Sequence, residues 1–352
     1  MSLQSIAAQF QAQLLKRDHA AANAMLRAYG SAWKAIRDDL NALLSKIKAA
    51  QAAGQTVNQS WLLQQSRLAA LLRQTERQIN QFAGLASDRI RREQSEAIKA
   101  ARDHAADLII ESLGDSRVGV DLTLSQLPAD AFAELVGAMG DGSPLEKIFR
   151  QFGPSASRTI RAGLLEGLAA GRSIPDIARS IRDALGGDLT RAITIARTEV
   201  MRAYRAASIA TYRENSDLVR GWRWQASLSG RTCAMCISMH GSLHPATEEF
   251  ASHPRCRCTT VPQTVSLREL GLAVSENRSA WIPGGEWFAQ QSPTLQMQIL
   301  GPAAYAAYKS GAVSLSDFVG VKSSADWGQS RYTRSLKQIL GDQAAEKFRK
   351  AA

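Results

Sequence analysis

Cysteine is scarce in this chain, and proline is absent from its first third. All four cysteines fall between residues 230 and 258, in GRTCAMCISMHGSLHPATEEFASHPRCRC, together with three of the five histidines. The first proline is Pro128. No run of eighteen apolar residues exists, which excludes an apolar membrane-spanning helix. The opening MSLQSIAAQFQAQLLKR lacks the charged start and apolar block of a secretory signal, so a protein made and kept in a cytoplasm is expected. In that reducing compartment, clustered cysteines point to metal binding before a structural disulfide. What is abundant is apolar and basic. An apolar content of 45% can fill a core and rules out a disordered tail, and 352 residues suffice for two or three domains. The 43 Lys+Arg against 32 Asp+Glu leave a net charge of +11, which favours nucleic acid or another acidic surface.

Without an early helix breaker, the first part reads as long helix. Leu26, Tyr29, Trp33, Ile36, Leu40, Leu43 and Ile47 recur at alternating three- and four-residue steps, the seam of a helix packed lengthwise on a partner. After a polar break at Ala53-Gly54-Gln55-Thr56-Val57-Asn58, the pattern resumes with Leu68, Leu71, Leu72, Ile79, Phe82, Ala86 and Ile90. A long N-terminal helical hairpin over residues 1–127 follows, either buried in its own domain or docking on neighbouring subunits. A helical middle region spans 128–218. In it Gly171 ends one helix, Ser173 caps the next, and Gly186-Gly187-Asp188 marks a further boundary. The helix after that boundary carries an apolar stripe of Ile193, Ala196, Val200, Ala203, Tyr204 and Ala207. Arg191, Arg202, Arg205 and Arg213 largely avoid the stripe and are candidate nucleic-acid contacts, or simply a solvated face.

Past residue 218 the texture changes. Trp222-Arg223-Trp224-Gln225-Ala226 alternates as a half-buried strand does, and Thr259-Thr260-Val261 reads as a returning strand ended by Pro262. A Cys/His-rich β module, a zinc-stapled β-hairpin, is therefore expected over 219–265, followed by a C-terminal helical region over 266–352 that ends in a basic amphipathic helix, SLKQILGDQAAEKFRKAA. The fold class is mainly α with a small β module.

Zinc needs four soft or borderline ligands in a tetrahedron, and a C-x-x-C turn supplies two. Cys233 and Cys236 have that spacing; Cys256 and Cys258, if in a strand, point to one side. His253, in the turn His253-Pro254-Arg255-Cys256, competes as fourth ligand. Four of these five groups holding a structural Zn2+ is the expectation. A redox dithiol is disfavoured because it opens a helix of a βαβ unit, whereas this pair reads as a turn with two more cysteines nearby. The signatures of a zinc deaminase are absent. No catalytic residue is assigned; His240 and His244 read as surface residues of a Gly/Ser-containing loop.

The order of motifs, IARTEVMRAYRAA, a Trp-bearing strand, GRTCAMC, a short HG turn and HPRCRC, resembles the core of the phage Mu F-like minor head proteins, the phage head morphogenesis family. The downstream GGEWFAQQSPTLQMQILGPAAYAAYKSGAVSLSDFV is also similar to the segment that follows this core. The resemblance spans about residues 150 to 320 and carries over Arg197, Thr198, Glu199, Arg231, Cys233, Cys236, His253, Cys256, Arg257 and Cys258. Where many relatives have an acidic residue, this chain has Ser227-Leu228-Ser229-Gly230, which weakens an enzymatic reading. The resemblance implies a minor capsid protein of a tailed bacteriophage, made in the host cytoplasm and residing in the virion, at the head interior or portal vertex. Its implied partners are the portal protein, major capsid or scaffold protein and, non-specifically, phage genomic DNA, with an oligomeric state in the particle and no membrane. The rivals are a zinc-stapled nuclease or other DNA-processing enzyme using His240, His244 or His253 with Glu199 or Glu248, and a zinc-ribbon DNA-binding regulator, for which no recognition-helix pattern is found.

Overall fold

A computed structural model describes residues 2–113, 124–125, 127, 129–139, 142–271, 281–324 and 328–351. The protein is mainly helical with a small antiparallel sheet module. Unbroken Ala, Leu, Gln, Lys and Arg, which lose little rotamer freedom in a helix, let α1 (Leu3–Ala52) and α3 (Ser66–Ser112) run for 50 and 47 residues. The polar break between them is built from end signals. Gly54, at φ +74°, lets the N–H groups of Gly54 and Gln55 turn back to the carbonyls of Gln51 and Ala50. Asn58 then caps the short α2 (Gln59–Leu63) by accepting the Trp61 N–H.

The chain forms two compact units, each assembled from separate stretches of sequence. Both α1 and α3 contribute residues to each unit. Pro128, at one expected boundary, lies outside the described residues.

One unit comprises Arg17–Glu93 and Gly137–Glu199. Here α1 and α3 pack along the expected seam, with Tyr29 edge-on to Phe82 at 5.2 Å. Two positions shift: Leu26 is 47% exposed while Met25 is 2% exposed, and Ala32 is buried where Trp33 is only half-buried. A 3.6-residue helix drifts relative to a 3.5-residue repeat, and the N-terminal end of the seam shows that drift. After α4 (Leu145–Phe149), α5 (Phe152–Ala169) meets the first half of α6 (Ile174–Glu214) through small residues. A Cβ on Gly163 or Gly167 would come within 2.7 and 2.4 Å of Ile181 and Ile177.

Gly171, at φ +62°, ends α5, and the Ser173 hydroxyl accepts the Asp176 N–H at 3.3 Å, as the sequence predicts. The boundary predicted at Gly186-Gly187-Asp188 does not exist, and α6 runs through it for 41 residues. Ile177, Ile181, Leu185, Ala192 and Ile195 keep one face buried on both sides of the glycines. That continuous burial outweighs the roughly 1 kcal/mol that each helical glycine costs relative to alanine. Gly187 is exposed, and a Cβ there would meet nothing within 4 Å. Gly187→Ala is therefore expected to stabilise this unit by about 1 kcal/mol, seen as a higher thermal midpoint; a lower one would mean that the helix is interrupted there.

The second unit comprises Met1–Lys16, Gln94–Val136 and Val200–Ala352. It holds β1 (Val219–Gln225), α7 (Ala234–Met239), β2 (Leu243–Pro245) and β3 (Thr259–Thr264), with the strands in the order β2-β1-β3, all antiparallel. The module is thus a three-stranded sheet and not the hairpin expected, because β1 is flanked on both edges and α7 occupies the connection to β2. Pro262 does not end β3. It pairs with Trp222 from an edge strand, where a missing N–H can face away from the ladder. Trp222 and Trp224 are fully buried with Ala105, Ile109, Leu113, Tyr212, Met235 and three of the cysteines.

The C-terminal part contains α8 (Gly284–Ala289), α9 (Pro293–Leu300), α10 (Pro302–Lys309), a hairpin of β4 (Val319–Ser324) with β5 (Gly328–Thr333), then α11 (Leu336–Leu340) and α12 (Asp342–Ala351). The expected single terminal helix is two, broken at Gly341 with φ +81°, and the β4–β5 hairpin is absent from the sequence reading. These elements bury Phe288, Ala307, Phe318 and Ala345 against Ala234 and Ile237 of α7. No helix among the described residues is long and apolar enough to cross a membrane.

Candidate metal centre

The thiol window folds around the start of α7. Cys233 is its N-cap and Cys236 lies in its first turn, so the C-x-x-C opens a helix rather than forming the turn expected. Cys256 and Cys258 precede β3 and lie outside any strand, yet both side chains are buried beside Cys236. Two groups of donors converge, Cys233, Cys236 and His253 in one, Cys236, Cys256 and Cys258 in the other, each with its atoms within 4.8 Å of one another. Cys236 belongs to both. All four cysteines are free thiols.

The spacings fit a tetrahedral metal. Zinc–sulfur and zinc–nitrogen bonds of about 2.3 and 2.0 Å place two bound thiolates about 3.8 Å apart and a thiolate and an imidazole about 3.5 Å apart. Cys236 Sγ is 3.7 Å from Cys256 Sγ, and His253 Nε2 is 3.4 Å from both Cys233 Sγ and Cys236 Sγ. His253 Nδ1 lies 2.8 Å from the Pro254 carbonyl oxygen, and a ring N–H donated there leaves Nε2 free to ligate.

The clustered groups shift one another's ionisation. A hydrogen bond from Cys236 outweighs burial and, with the help of His253, holds Cys233 down to about 4. Burial disfavours a charged His253, but the hydrogen bond with Cys233 and the charges of Cys256 and Cys233 raise it to about 9. Burial also opposes ionisation of Cys256, which is nevertheless pulled below the ordinary thiol range by hydrogen bonds from Cys236 and Cys258 and by the charges of Arg205 and His253. Cys236 is pushed up by its hydrogen bond to Cys233, and Cys258 by burial. A metal would have to displace the protons held by its ligands here, so its affinity falls as pH falls.

Loop 246–258, which carries three of the five donors, is held by α6 and α1. Arg205 Nε and Nη2 donate to the Cys258 and Cys256 carbonyls, both at 2.8 Å, and Gln11 Nε2 takes the Arg257 carbonyl between them at 2.7 Å. Arg213 Nε and Nη2 donate to the Ala246 and Thr247 carbonyls at 2.6 and 3.2 Å. Arg205 is therefore corrected: at 4% exposure it presents nothing to a phosphate, because its fork is filled by carbonyls. Arg213 remains exposed but spends two donors on the loop. Arg191 is exposed, with its charge acting on Asp188, and Arg202 is half-buried. Arg197, from the motif helix, pairs with Asp18 at 2.6 Å. Arg255 adopts φ +65°, and its turn is closed by the Cys256 N–H donating to the His253 carbonyl at 3.2 Å. This resembles a type II turn with arginine where glycine is usual.

His240 and His244 are buried, at 3% and 8% exposure, and not on the surface as expected. His240 Nδ1 accepts the Ala226 N–H at 3.0 Å, and burial lowers its pKa to about 4. The unfolded chain, with a value near 6.5, binds the proton more readily. This histidine's contribution to stability is thus complete above pH 6.5 and is lost as pH falls through about 4. The His240 ring resonances are expected to stay constant from pH 8 to 5 in NMR; a midpoint near 6.5 would contradict this burial. His244 stacks on Trp222 at 4.2 Å and lies between Ser242 Oγ (2.8 Å) and Glu248 Oε2 (3.0 Å), with Arg331 on the other Glu248 oxygen. Among the described residues, the two backbone N–H groups nearest this hydroxyl–imidazole–carboxylate row are already spent. The N–H groups of Gly241 and Ser242 go to Trp224 and Met239, and the Ser242 hydroxyl itself reaches the Met239 carbonyl at 2.6 Å. Glu199, also named for chemistry, is fully buried on α6.

Residues 158–261 match the family described as phage Mu protein F like protein, so this segment, which includes all five candidate ligands and the α6 arginines, is phage Mu F-like. The chain is also similar to the NAD(+)--arginine ADP-ribosyltransferase EFV of Enterococcus faecalis (strain ATCC 700802 / V583), 26% identical over 160 residues, which is 40% of this chain and 33% of that protein. It thus spans about a third of that curated relative's length. No solved structure matches.

Proposed function

We propose that this protein is a minor head protein of a tailed bacteriophage, acting in head assembly at the portal vertex, with a structural zinc in the thiol cluster. The observation that carries the reading is the phage Mu F-like match over residues 158–261. The burial of the cluster supports a structural metal. Cys236, Cys256 and Cys258 are 3%, 2% and 2% exposed, so a metal held by four of the five donors keeps no open position for water, unlike a catalytic zinc. Portal, capsid or scaffold protein and packaged DNA are the proposed partners, the DNA held non-specifically through the chain's net charge of +11. Virion residence after synthesis in the host cytoplasm follows from the same reading.

The experiment is a phage carrying Cys256→Ser. Fewer DNA-filled heads, with the wild-type protein co-purifying with portal rings, is the expected outcome. Wild-type head yield and DNA content, or a wild-type protein absent from heads and portal alike, would sink the proposal. Plasmid cleavage with divalent metal that His253→Ala abolishes would favour a nuclease instead.

A further inference from the structure

We infer that Arg205 is the positioning residue of the thiol centre, fixing the geometry of its Cys256 and Cys258 half from helix α6 and offsetting its negative charge. The inference rests on the reading of the cluster as a metal site. Cys256 and Cys258 precede β3, so no ladder of strand hydrogen bonds sets the direction of their side chains. Carbonyl contacts take that role. One planar guanidinium brackets the run by donating to the carbonyls of residues 256 and 258, each at 2.8 Å, with the Arg257 carbonyl between them held by Gln11. The remaining Arg205 nitrogen, Nη1, donates to Ser252 Oγ at 2.9 Å, just before His253, and the guanidinium carbon lies 4.5 Å from the Phe250 ring centre. One side chain therefore ties down both ends of the segment that supplies three donors.

The second role is electrostatic. A zinc with four thiolates carries two negative charges, and with three thiolates and an imidazole it carries one; either is costly in a buried site without a nearby cation. Arg205 is 4% exposed, and its guanidinium, at 2.8 Å from the carbonyls of both Cys256 and Cys258, places a fixed positive charge beside the centre. A fixed guanidinium fork can hold two carbonyls and keep its charge at once, which a lysine ammonium cannot reproduce.

The test uses the full chain in three forms: wild type, Arg205→Lys and Arg205→Gln. Zinc affinity is read by competition with a chromophoric chelator, and ligand geometry from the visible bands of the cobalt-substituted protein. Arg205→Gln is expected to weaken zinc binding about 10- to 100-fold, as loss of outer partners of metal ligands does. Arg205→Lys should recover part of that loss, since it keeps the charge, but with shifted cobalt bands, since it loses the fork. Affinity and cobalt spectra of both variants equal to wild type would overturn the inference. If the variants fold poorly, excess zinc should restore their fold, because a residue acting through the centre is rescued by mass action; unfolding that zinc does not reverse assigns Arg205 a general packing role and overturns it too. A wild-type chain that binds no zinc would instead refute the metal reading itself.

Discussion

With zinc in the thiol cluster as proposed, a strong chelator is expected to unfold residues 219–267 and to move the fluorescence of Trp222 and Trp224 to longer wavelength. The three strands of the module are 7, 3 and 6 residues long, and loop 246–258 has no helix or strand. Cys236, Cys256 and Cys258 are themselves part of the core that contains both tryptophans. Take away the metal and that core keeps charged and protonated thiols crowded against an imidazole. Structural zinc contributes on the order of 10 kcal/mol in small modules, as much as a whole domain's net stability. Cys236→Ser should have the largest effect of any single ligand change, an affinity loss of at least about 100-fold, because Cys236 alone belongs to both donor groups. Comparing His253→Ala with Cys258→Ser identifies the fourth ligand: the substitution that costs less zinc affinity marks the group outside the tetrahedron. Unchanged tryptophan emission after chelation would mean that the sheet stands without a metal.

The second large effect is expected at Trp222. It sits on the central strand, fully buried, stacked on His244 at 4.2 Å and on Phe250 at 5.2 Å, and its Nε1 donates to the Glu248 carbonyl at 3.3 Å. Trp222→Ala should cost about 3–5 kcal/mol, the range for emptying a large aromatic site. Phe250 also faces Arg205, so the vacancy would loosen the loop that carries the ligands as well as the sheet. Trp222→Phe retains the stacking and loses one hydrogen bond, and should cost about 1 kcal/mol beyond the lost ring volume. Chemical denaturation followed by far-ultraviolet circular dichroism measures both; equal stability of the alanine variant would contradict the assigned packing.

The sequence made the helices legible because their signals are local. Ser173 with Asp176, Gly171, Gly54 and the apolar seam of α1 each act within one or two turns, and the structure places them as expected apart from Leu26 and Trp33. It misled at Gly186-Gly187, where two glycines suggest a stop but burial on both sides carries α6 through. Pro262 misled for a related reason: its effect depends on whether the strand is an edge, which only the strand order β2-β1-β3 decides. The donor residues were legible from spacing alone, since C-x-x-C and H-x-x-C are short-range patterns. Their supports were not. Gln11 lies 246 residues from the carbonyl it holds, and nothing in the apolar periodicity of α6 tells a solvated arginine from Arg205, whose partners come from a loop 47 to 53 residues away. A charged residue off the apolar stripe is read as exposed by default, and burial by carbonyl donation escapes that rule.

The clustered thiols, which lie in the segment that matches the phage Mu F-like family, are proposed to hold one structural metal. Native mass spectrometry of the protein as purified, compared with Cys236→Ser, tests it most directly. A wild-type mass increased by a single zinc, lost on acidification, and a Cys236→Ser chain at its metal-free mass are expected. A wild-type chain at its metal-free mass with four alkylatable thiols under native conditions would contradict it.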